Sequence, residues 1–563
     1  MLIENGVVYS PYVDQDVEGK SFSQVVLPFL HKYGERLCLV NSFRPEQGVN
    51  YSQLLWMVEK AAGFLQFRGV RPHSRVLLNA HNSIETIVAY LAVAFCNAVA
   101  VNSKPSANMR ELKYIVKDCE CSFVITEKDR VEMLRAIQDD VVDQIEEILI
   151  VADSSDNIEW SADDNVKSIQ QVLLANEEHR FNYTEVVNPK EHTLLICYTS
   201  GSTGLPKGVE LTHTNLIASM LGNGYPDGSR FMHEDDVVLL WNPLSHISGV
   251  GVLCAFITTG AIGIVADSVR DFNRFVELVE KFSISVLVAF PTALHQLSRL
   301  SESADISSLR LKELRIGTEN MFRTNGFFLC ILLVETYTLS LKTRMFTGVQ
   351  ETYGLSETMG AITATVEDHV EPYSVGHPIA NCRMKVVDMD TGENLGPHQP
   401  GEILCKGPVI MKGYLNRPQA TAEAFDEDGW LLTGDYGYYD EDGEFYVIER
   451  LKQLIKCMDN QVNPSELEEL LLTHESVKET IVIGIPNETV GEAPTAFVVL
   501  NDGYEGNPTL QEVLKDVVAS QTSHYKHLYG GLKFIDQLPK TDSGKFNRSE
   551  MKKIYMASLK SIG

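Results

Sequence analysis

Residues Tyr198 to Gly208 read YTSGSTGLPKG, a stretch in which seven of eleven residues are Gly, Ser or Thr and the single charge is Lys207. Gly lets backbone N–H groups turn toward an anion with no Cβ in the way, hydroxyls add donors, and a lysine adds a mobile positive charge. A polyphosphate is the ligand that such a loop suits. The stretch is not a Walker A loop, because Pro206 precedes Lys207 and Gly208 follows it, where that motif needs Gly before and a hydroxyl after. Gly/Ser runs also make plain linkers. Here the preceding Leu194-Leu195-Ile196-Cys197 reads as a buried strand that delivers the loop to the end of a sheet.

The elements that must carry this loop follow from length and periodicity. At 563 residues the chain exceeds one hydrophobic core and divides into at least two domains. Apolar runs of strand length alternate with helical patterns through most of the first 450 residues, as in Val76–Leu78, Ile84–Cys96 and Val99–Val101. That order predicts an α/β fold of mostly parallel sheets covered by helices. From Gly392 to Tyr446 the texture shifts to short alternating runs with turn pairs such as Asp428-Gly429 and Asp442-Gly443, which predicts a β-rich subdomain over about 385–450. After Arg450 a helix beginning near Pro464 and strands at VIGIP, AFVVL and LKFIDQLPK predict a small α+β cap. The expected division is 1–450 for the large domain and 451–563 for the cap.

Charge narrows the partners. With 48 basic and 76 acidic residues the net charge is −28, which repels nucleic-acid phosphates and anionic lipid headgroups. Ten cysteines lie scattered, and Cys119 and Cys121 fit no zinc spacing, so reduced thiols are expected. The opening MLIENGVVYSPYVDQD lacks the basic and apolar regions of a signal peptide, and the closing KSIG is not an SKL address, so a cytoplasmic protein is expected. Two apolar segments, Ile84 to Val101 and Ile247 to Ala266, are long enough to invite a membrane reading. Glu85 and Asn97 make the first a buried helix, and four glycines make the second a helix, turn and strand.

Seven stretches in order resemble the adenylate-forming superfamily, which includes acyl-CoA synthetases, 4-coumarate-CoA ligases, luciferases and peptide-synthetase adenylation domains. They are YTSGSTGLPKG at 198–208, NPLSHISG at 242–249, YGLSE at 353–357, GEILCKGP at 401–408, TGD at 433–435, ERLKQLIK at 449–456 and PKTDSGK at 539–545. The resemblance implies that a carboxylate attacks the α-phosphorus of ATP, giving an acyl-adenylate and pyrophosphate, and that a thiol then takes the acyl group. By the same resemblance Thr199, Ser200, Gly201, Ser202, Thr203, Gly204 and Lys207 wrap the β- and γ-phosphates, and Glu357 holds Mg²⁺. Tyr353, beside Gly354, stacks on adenine and Ser356 reaches the AMP phosphate. Asp435 and Arg450 bind the ribose. Lys545 bridges the carboxylate and the α-phosphate. His246, Gly317, Glu351 and Thr352 border the acyl group, Lys452 is the hinge of a rotating cap, and Lys456 faces CoA. A hydrophobic carboxylic acid, ATP, Mg²⁺ and CoA are the implied reactants. CoA is preferred as acceptor because no carrier domain follows, and the oligomeric state is open.

The chain departs from the family at two places. In the thiol-binding segment the family's lysine and glycine become Met458 and Asp459, which weakens attraction for anionic CoA and narrows the path of its arm. After Gly317 a Gly-rich acyl loop is replaced by Thr318-Glu319-Asn320-Met321, and a long stretch containing the apolar octet Phe327 to Val334 intervenes before Tyr353. That octet is open between a buried strand, an exposed patch and a segment foreign to the mature protein. Two other readings therefore stand beside the acid–thiol ligase: a luciferase-like oxygenase that adenylates its substrate first, and a nucleotide-binding pseudoenzyme.

Overall fold

The computed structural model describes residues 3–141, 145–151, 167–175, 179–199, 206–222, 232–267, 272–289, 311–319, 346–365, 374–458, 460–487, 489–540 and 546–560. The expected strand–helix–strand unit is present as Arg75–Asn79, Ile84–Phe95 and Val99–Asn102, with the two strands parallel neighbours. Ser83 starts its helix by accepting from the Thr86 amide, and every helical residue except Glu85 is buried. A helix apolar all round must lie between layers, and this one does so in the main core.

Two large sheets and two smaller ones organise the described residues. An eight-stranded sheet runs Gly413–Tyr414, Lys207–Thr212, Thr193–Thr199, Val99–Asn102, Arg75–Asn79, Phe123–Thr126, Glu147–Ile150 and Lys167–Ser168; all but its first two strands are parallel. A nine-stranded sheet carries Leu311–Glu319 and Phe346–Leu355 side by side and parallel near its middle. The β-rich region forms a six-stranded antiparallel sheet that extends from Arg383 to Arg450 and is completed by Ile3–Glu4 and Val7–Tyr9. Sequence patterning gave no hint of that N-terminal hairpin; it covers what would otherwise be an open edge at Arg383–Val387.

The fourth sheet takes its five strands from Ile455 onward, including Val477–Asn487, Gly491–Leu500 and Gly531–Phe534. Its helix Pro464–Leu472 begins where expected, with Pro at its first turn and Asn463 accepting from the Ser465 amide. The segment Ile247 to Ala266 is a helix, Ile247–Ile257, followed by a strand, Ile262–Val265. Among the described residues no helix is long and apolar enough to cross a membrane.

One internal feature sets an acid limit on stability. The rings of His73 and His192 stack with centroids 3.8 Å apart, and His213 meets His192 edge-on at 4.9 Å. His213 is wholly buried; its Nδ1 accepts from the Phe22 amide at 3.0 Å, and its Nε2 has no hydrogen bond. Burial, and then the two neighbouring imidazoles, push the His213 pKa down to about 3. The unfolded chain takes a proton near pH 6.5 and the native chain does not until about 3, so the unfolded state binds more protons in between. Stability should fall as pH drops through that window, by up to about tenfold in the folding constant per pH unit from this group. His213→Gln should flatten the difference when urea midpoints are compared from pH 7 to pH 4.

Candidate functional site

The stretch expected to hold phosphates is flanked by two paired strands. Thr193–Thr199 pairs antiparallel with Lys207–Thr212, and the last matched residues are Tyr198 with Gly208 and Thr199 with Lys207. Thr199 and Lys207 are therefore side by side at the mouth of the loop. Ser200, Gly201, Ser202, Thr203 and Gly204 lie outside the described residues. Gly208 sits in a tight spot, where a Cβ would lie 3.0 Å from the Ile196 side chain and 3.3 Å from the Tyr198 ring and would press both aside.

From Lys207 a short line of contacts leads to the expected metal ligand. Lys207 Nζ lies 4.7 Å above the Tyr414 ring, and the Tyr414 hydroxyl donates to Glu357 Oε1 at 2.8 Å. The Glu357 carbonyl is also anchored, accepting from the Met411 amide at 2.8 Å. Nothing in the local pattern marked Tyr414; the signal available was an aromatic in the Gly- and Pro-bounded run Gly413-Tyr414-Leu415-Asn416-Arg417-Pro418. Among the described residues no group of three or more His, Cys, Asp or Glu side chains can hold a metal by itself. A half-buried single carboxylate fits Mg²⁺, which keeps water and phosphate oxygens in its octahedron and asks for one or two protein ligands.

The ribose candidate lies on the antiparallel sheet. The register of Leu431–Tyr439 against Phe445–Arg450 sets Asp435 directly opposite Arg450, with Arg450 Nε 2.8 Å from Asp435 Oδ1. Asp435 has no solvent exposure, and Oδ1 lacks an aligned hydrogen bond despite that charge contact. Oδ2 accepts the hydroxyl of Tyr353. Burial lifts the Asp435 pKa to about 6; Arg450 and the Tyr353 hydroxyl oppose the rise, whereas the charges of Glu357 and Glu449 add to it. A buried carboxylate oxygen with no aligned donor is what a sugar hydroxyl would satisfy. As placed, the Tyr353 ring is 2% exposed in the core, its hydroxyl on Asp435. Gly354 follows at a bulge where a Cβ would meet the Gly360 carbonyl at 1.8 Å, so only Gly allows the turn into Ser356 and Glu357.

The acyl-side residues also converge in part. Adjacent parallel strands pair Ile316 with Glu351 and Gly317 with Thr352, so Gly317, Glu351 and Thr352 are neighbours. Thr318 and Glu319, which stand in place of the Gly-rich loop, continue the strand opposite Tyr353 and Gly354. Parallel pairing to the neighbouring strand satisfies their backbone groups, which a Gly-rich loop would leave to water. Asn320, Met321 and the octet from Phe327 to Val334 lie outside the described residues. His246 is the N-cap of Ile247–Ile257: its Nδ1 accepts from the Ser248 amide at 3.3 Å and lies 2.8 Å from the Ser248 hydroxyl. Capping a helix is thus a second role for a residue expected to gate the acyl path.

At the junction with the C-terminal sheet, Lys452 is exposed in the short helix Leu451–Gln453, and Lys456 is exposed in Ile455–Cys457. Cys457 pairs antiparallel with Asn460, and Met458 follows directly after Cys457. Met458 has φ +52°, a conformation that Gly or Asn adopts more readily. Asp459 and Lys545 lie outside the described residues. Glu449 is fully buried and its Oε2 accepts the Ser465 hydroxyl at 2.7 Å, which ties it to the first turn of Pro464–Leu472. Arg548, three residues past Lys545, joins the same network: it donates to Glu468 Oε2 at 2.6 Å, Gln453 Oε1 at 3.0 Å and Ser465 Oγ at 3.4 Å.

Residues 29–415 match the family described as AMP-binding enzyme, and residues 466–545 match the AMP-binding enzyme C-terminal domain. The chain belongs to this adenylate-forming family. It is 32% identical over 533 residues to a luciferin 4-monooxygenase of Nipponoluciola cruciata, covering 93% of each chain. It is 32% identical over 518 residues to 4-coumarate–CoA ligase 4 of Arabidopsis thaliana, covering 90% of this chain and 86% of that one. Its fold is similar to that of ATP-bound MatB from Rhodopseudomonas palustris, with a TM-score of 0.80, 23% identity, and coverage of 95% of this chain and 99% of the other. An anthranilate CoA ligase in complex with anthranoyl-AMP gives a TM-score of 0.79 at 20% identity, covering 96% and 98%. The AMP-binding family thus accounts for a large α/β part followed by a smaller C-terminal one.

Proposed function

We propose that this member of the AMP-binding family is an ATP-dependent ligase that joins a hydrophobic carboxylic acid to CoA. The observation that carries the reading is the chain of contacts through the YGLSE stretch: Tyr414 links Lys207 to Glu357, and Tyr353, four residues before Glu357, sets its hydroxyl on Asp435. A phosphate cation, a magnesium carboxylate and a ribose carboxylate in one place form a nucleotide site. A carboxylate oxygen of the acid attacks the α-phosphorus, the bond to the bridging oxygen of the β-phosphate breaks, and pyrophosphate leaves. Lys207 and the hydroxyls and amides of the 199–204 loop stabilise the charge that gathers on it. Bound Mg²⁺ at Glu357 would supply further neutralisation of the phosphates. The thiol of CoA then attacks the acyl carbon, loses its proton, and expels AMP.

In this reading Asp435 and Arg450 hold the ribose, which displaces the Tyr353 hydroxyl from Oδ2, and the freed ring turns to the adenine face. Ser356 follows toward the α-phosphate. Gly317, Glu351, Thr352 and His246 border the acid. Lys452 is the pivot of the cap, which brings Lys545 to the α-phosphate, and Lys456 meets the phosphates of CoA. Exchange of labelled pyrophosphate into ATP across a panel of aromatic, medium-chain and long-chain acids, followed by thioester detection without oxygen, tests the reading. Exchange and an acyl-CoA product with one acid class support it. ATP binding without exchange on any acid overturns it in favour of a pseudoenzyme, and exchange followed by oxygen-dependent light in place of thioester overturns it in favour of an oxygenase.

A further inference from the structure

The residues flanking the stretch from 200 to 205 are gripped on both sides by side chains that do not belong to it. Before the loop, the Tyr198 hydroxyl donates to Asp118 Oδ2 at 2.8 Å and lies 3.0 Å from Cys119 Sγ. After it, the Pro206 carbonyl accepts the Tyr114 hydroxyl at 2.8 Å. Tyr114 and Asp118 are one turn apart on the helix Met109–Cys119, whose other face is buried through Leu112, Ile115, Val116 and Cys119. Arg417 closes the arrangement, its Nη2 reaching Asp118 Oδ1 at 2.9 Å and the Tyr114 hydroxyl at 3.2 Å. Asp118 is nearly buried there, with 8% side-chain exposure. The Arg417 segment is itself fixed to the hairpin: the Leu415 amide donates to the Gly208 carbonyl at 2.8 Å, and Tyr414 pairs with Val209.

We propose that Asp118, Tyr114 and Arg417 are positioning residues for the triphosphate, which hold Tyr198 and Pro206 so that the two ends of the stretch between them are fixed at one spacing before ATP arrives. This deepens the ligase reading and rests on it. A loop rich in Gly and Ser loses much conformational freedom when it wraps an anion, and ATP must supply that free energy unless the loop's ends are already fixed. Arg417 suits the task because Nη2 reaches a carboxylate and a hydroxyl while Nη1 donates to the Asn416 carbonyl at 3.1 Å, a fixed planar set of donors that the single ammonium of Lys does not reproduce. The three residues act through Tyr198 and Pro206 and need no contact with ATP itself.

AMP lacks the β- and γ-phosphates, so it separates this role from a general structural one. Titration calorimetry in magnesium buffer should compare AMP with a β,γ-imido analogue of ATP for wild type, Tyr114→Phe and Arg417→Lys. Both variants are expected to weaken the ATP analogue by about tenfold or more while AMP affinity stays within about twofold. Tyr114→Phe keeps the ring that meets Tyr198 edge-on at 6.1 Å, which guards against a mere failure to fold. Equal weakening of both nucleotides, or no change in either, overturns the proposal. Wild-type protein that binds neither nucleotide overturns the ligase reading and this inference with it, a result distinct from the other two.

Discussion

Lys545→Ala is expected to slow adenylation by roughly 10²–10³-fold, the usual loss when one preorganised transition-state donor is removed. In contrast, thioester formation started from synthetic acyl-adenylate should change only slightly. The asymmetry follows from where charge develops. In the proposed first half-reaction the attacked phosphorus gathers negative charge on its oxygens, which the Lys545 ammonium would neutralise. In the second the mixed anhydride already exists, and the leaving group is AMP. The base of the lysine's loop is held independently of its side chain: Lys540 bridges to Phe546, and the Asn547 amide donates to the Pro539 carbonyl at 2.8 Å. The Ala variant should therefore fold. Pyrophosphate exchange and thioester assays run side by side decide the matter, and equal losses in both would remove Lys545 from the role.

Arg548→Met should be strongly destabilising above about pH 8, where Glu468 ionises, at about 3–5 kcal/mol, because it then leaves a carboxylate buried without its cation. Glu468 is 1% exposed, its Oε1 takes the Val482 amide at 2.5 Å, and Arg548 is the cation paired with it. Burial pushes the Glu468 pKa up to about 8 even against the pull of Arg548, and the nearby Glu449 adds to the rise. A carboxyl whose folded value lies above its unfolded one binds more protons in the native state. Its contribution is fully present below about pH 4.3 and is lost as pH rises through the folded value. Arg548→Met should accordingly lose most stability at alkaline pH. Arg548→Met with Glu468→Leu should recover most of the loss, since an apolar pair of similar volume replaces a stranded charge. All four tryptophans, at 56, 160, 241 and 430, precede this region, so far-UV circular dichroism rather than tryptophan fluorescence should follow its melting. An unchanged midpoint for Arg548→Met would refute the argument.

Much of the architecture was legible in order and spacing. The unit Arg75–Asn102, the helix at Pro464 and the division of Ile247 to Ala266 into helix and strand all follow from local apolar periods and punctuation. So does the hairpin under the phosphate loop in one respect: a strand was expected before it, at Leu194–Cys197, and Thr193–Thr199 is that strand. The strand after it, Lys207–Thr212, was not anticipated. Nor was the extension of Leu311–Glu319 through Thr318 and Glu319, because a strand's end depends on whether its neighbour offers partners, and Tyr353 and Gly354 do.

What the chain's order of residues determined by itself is the inventory: a Gly- and hydroxyl-rich loop ending in Lys207, acids at 357 and 435, a Gly-containing loop ending in Lys545, and the alternation that builds sheets to present them. Those are local properties, set by side-chain chemistry and by periods of two and 3.6 residues. Only the tertiary structure decided who faces whom. It set the Tyr353 hydroxyl on Asp435, 82 positions away; Arg417 on Asp118, 299 away; and Tyr414 between Lys207 and Glu357. Such pairs leave no periodic trace, because their contact is fixed by sheet register and layer packing across distant segments, and no residue's neighbours in sequence report it.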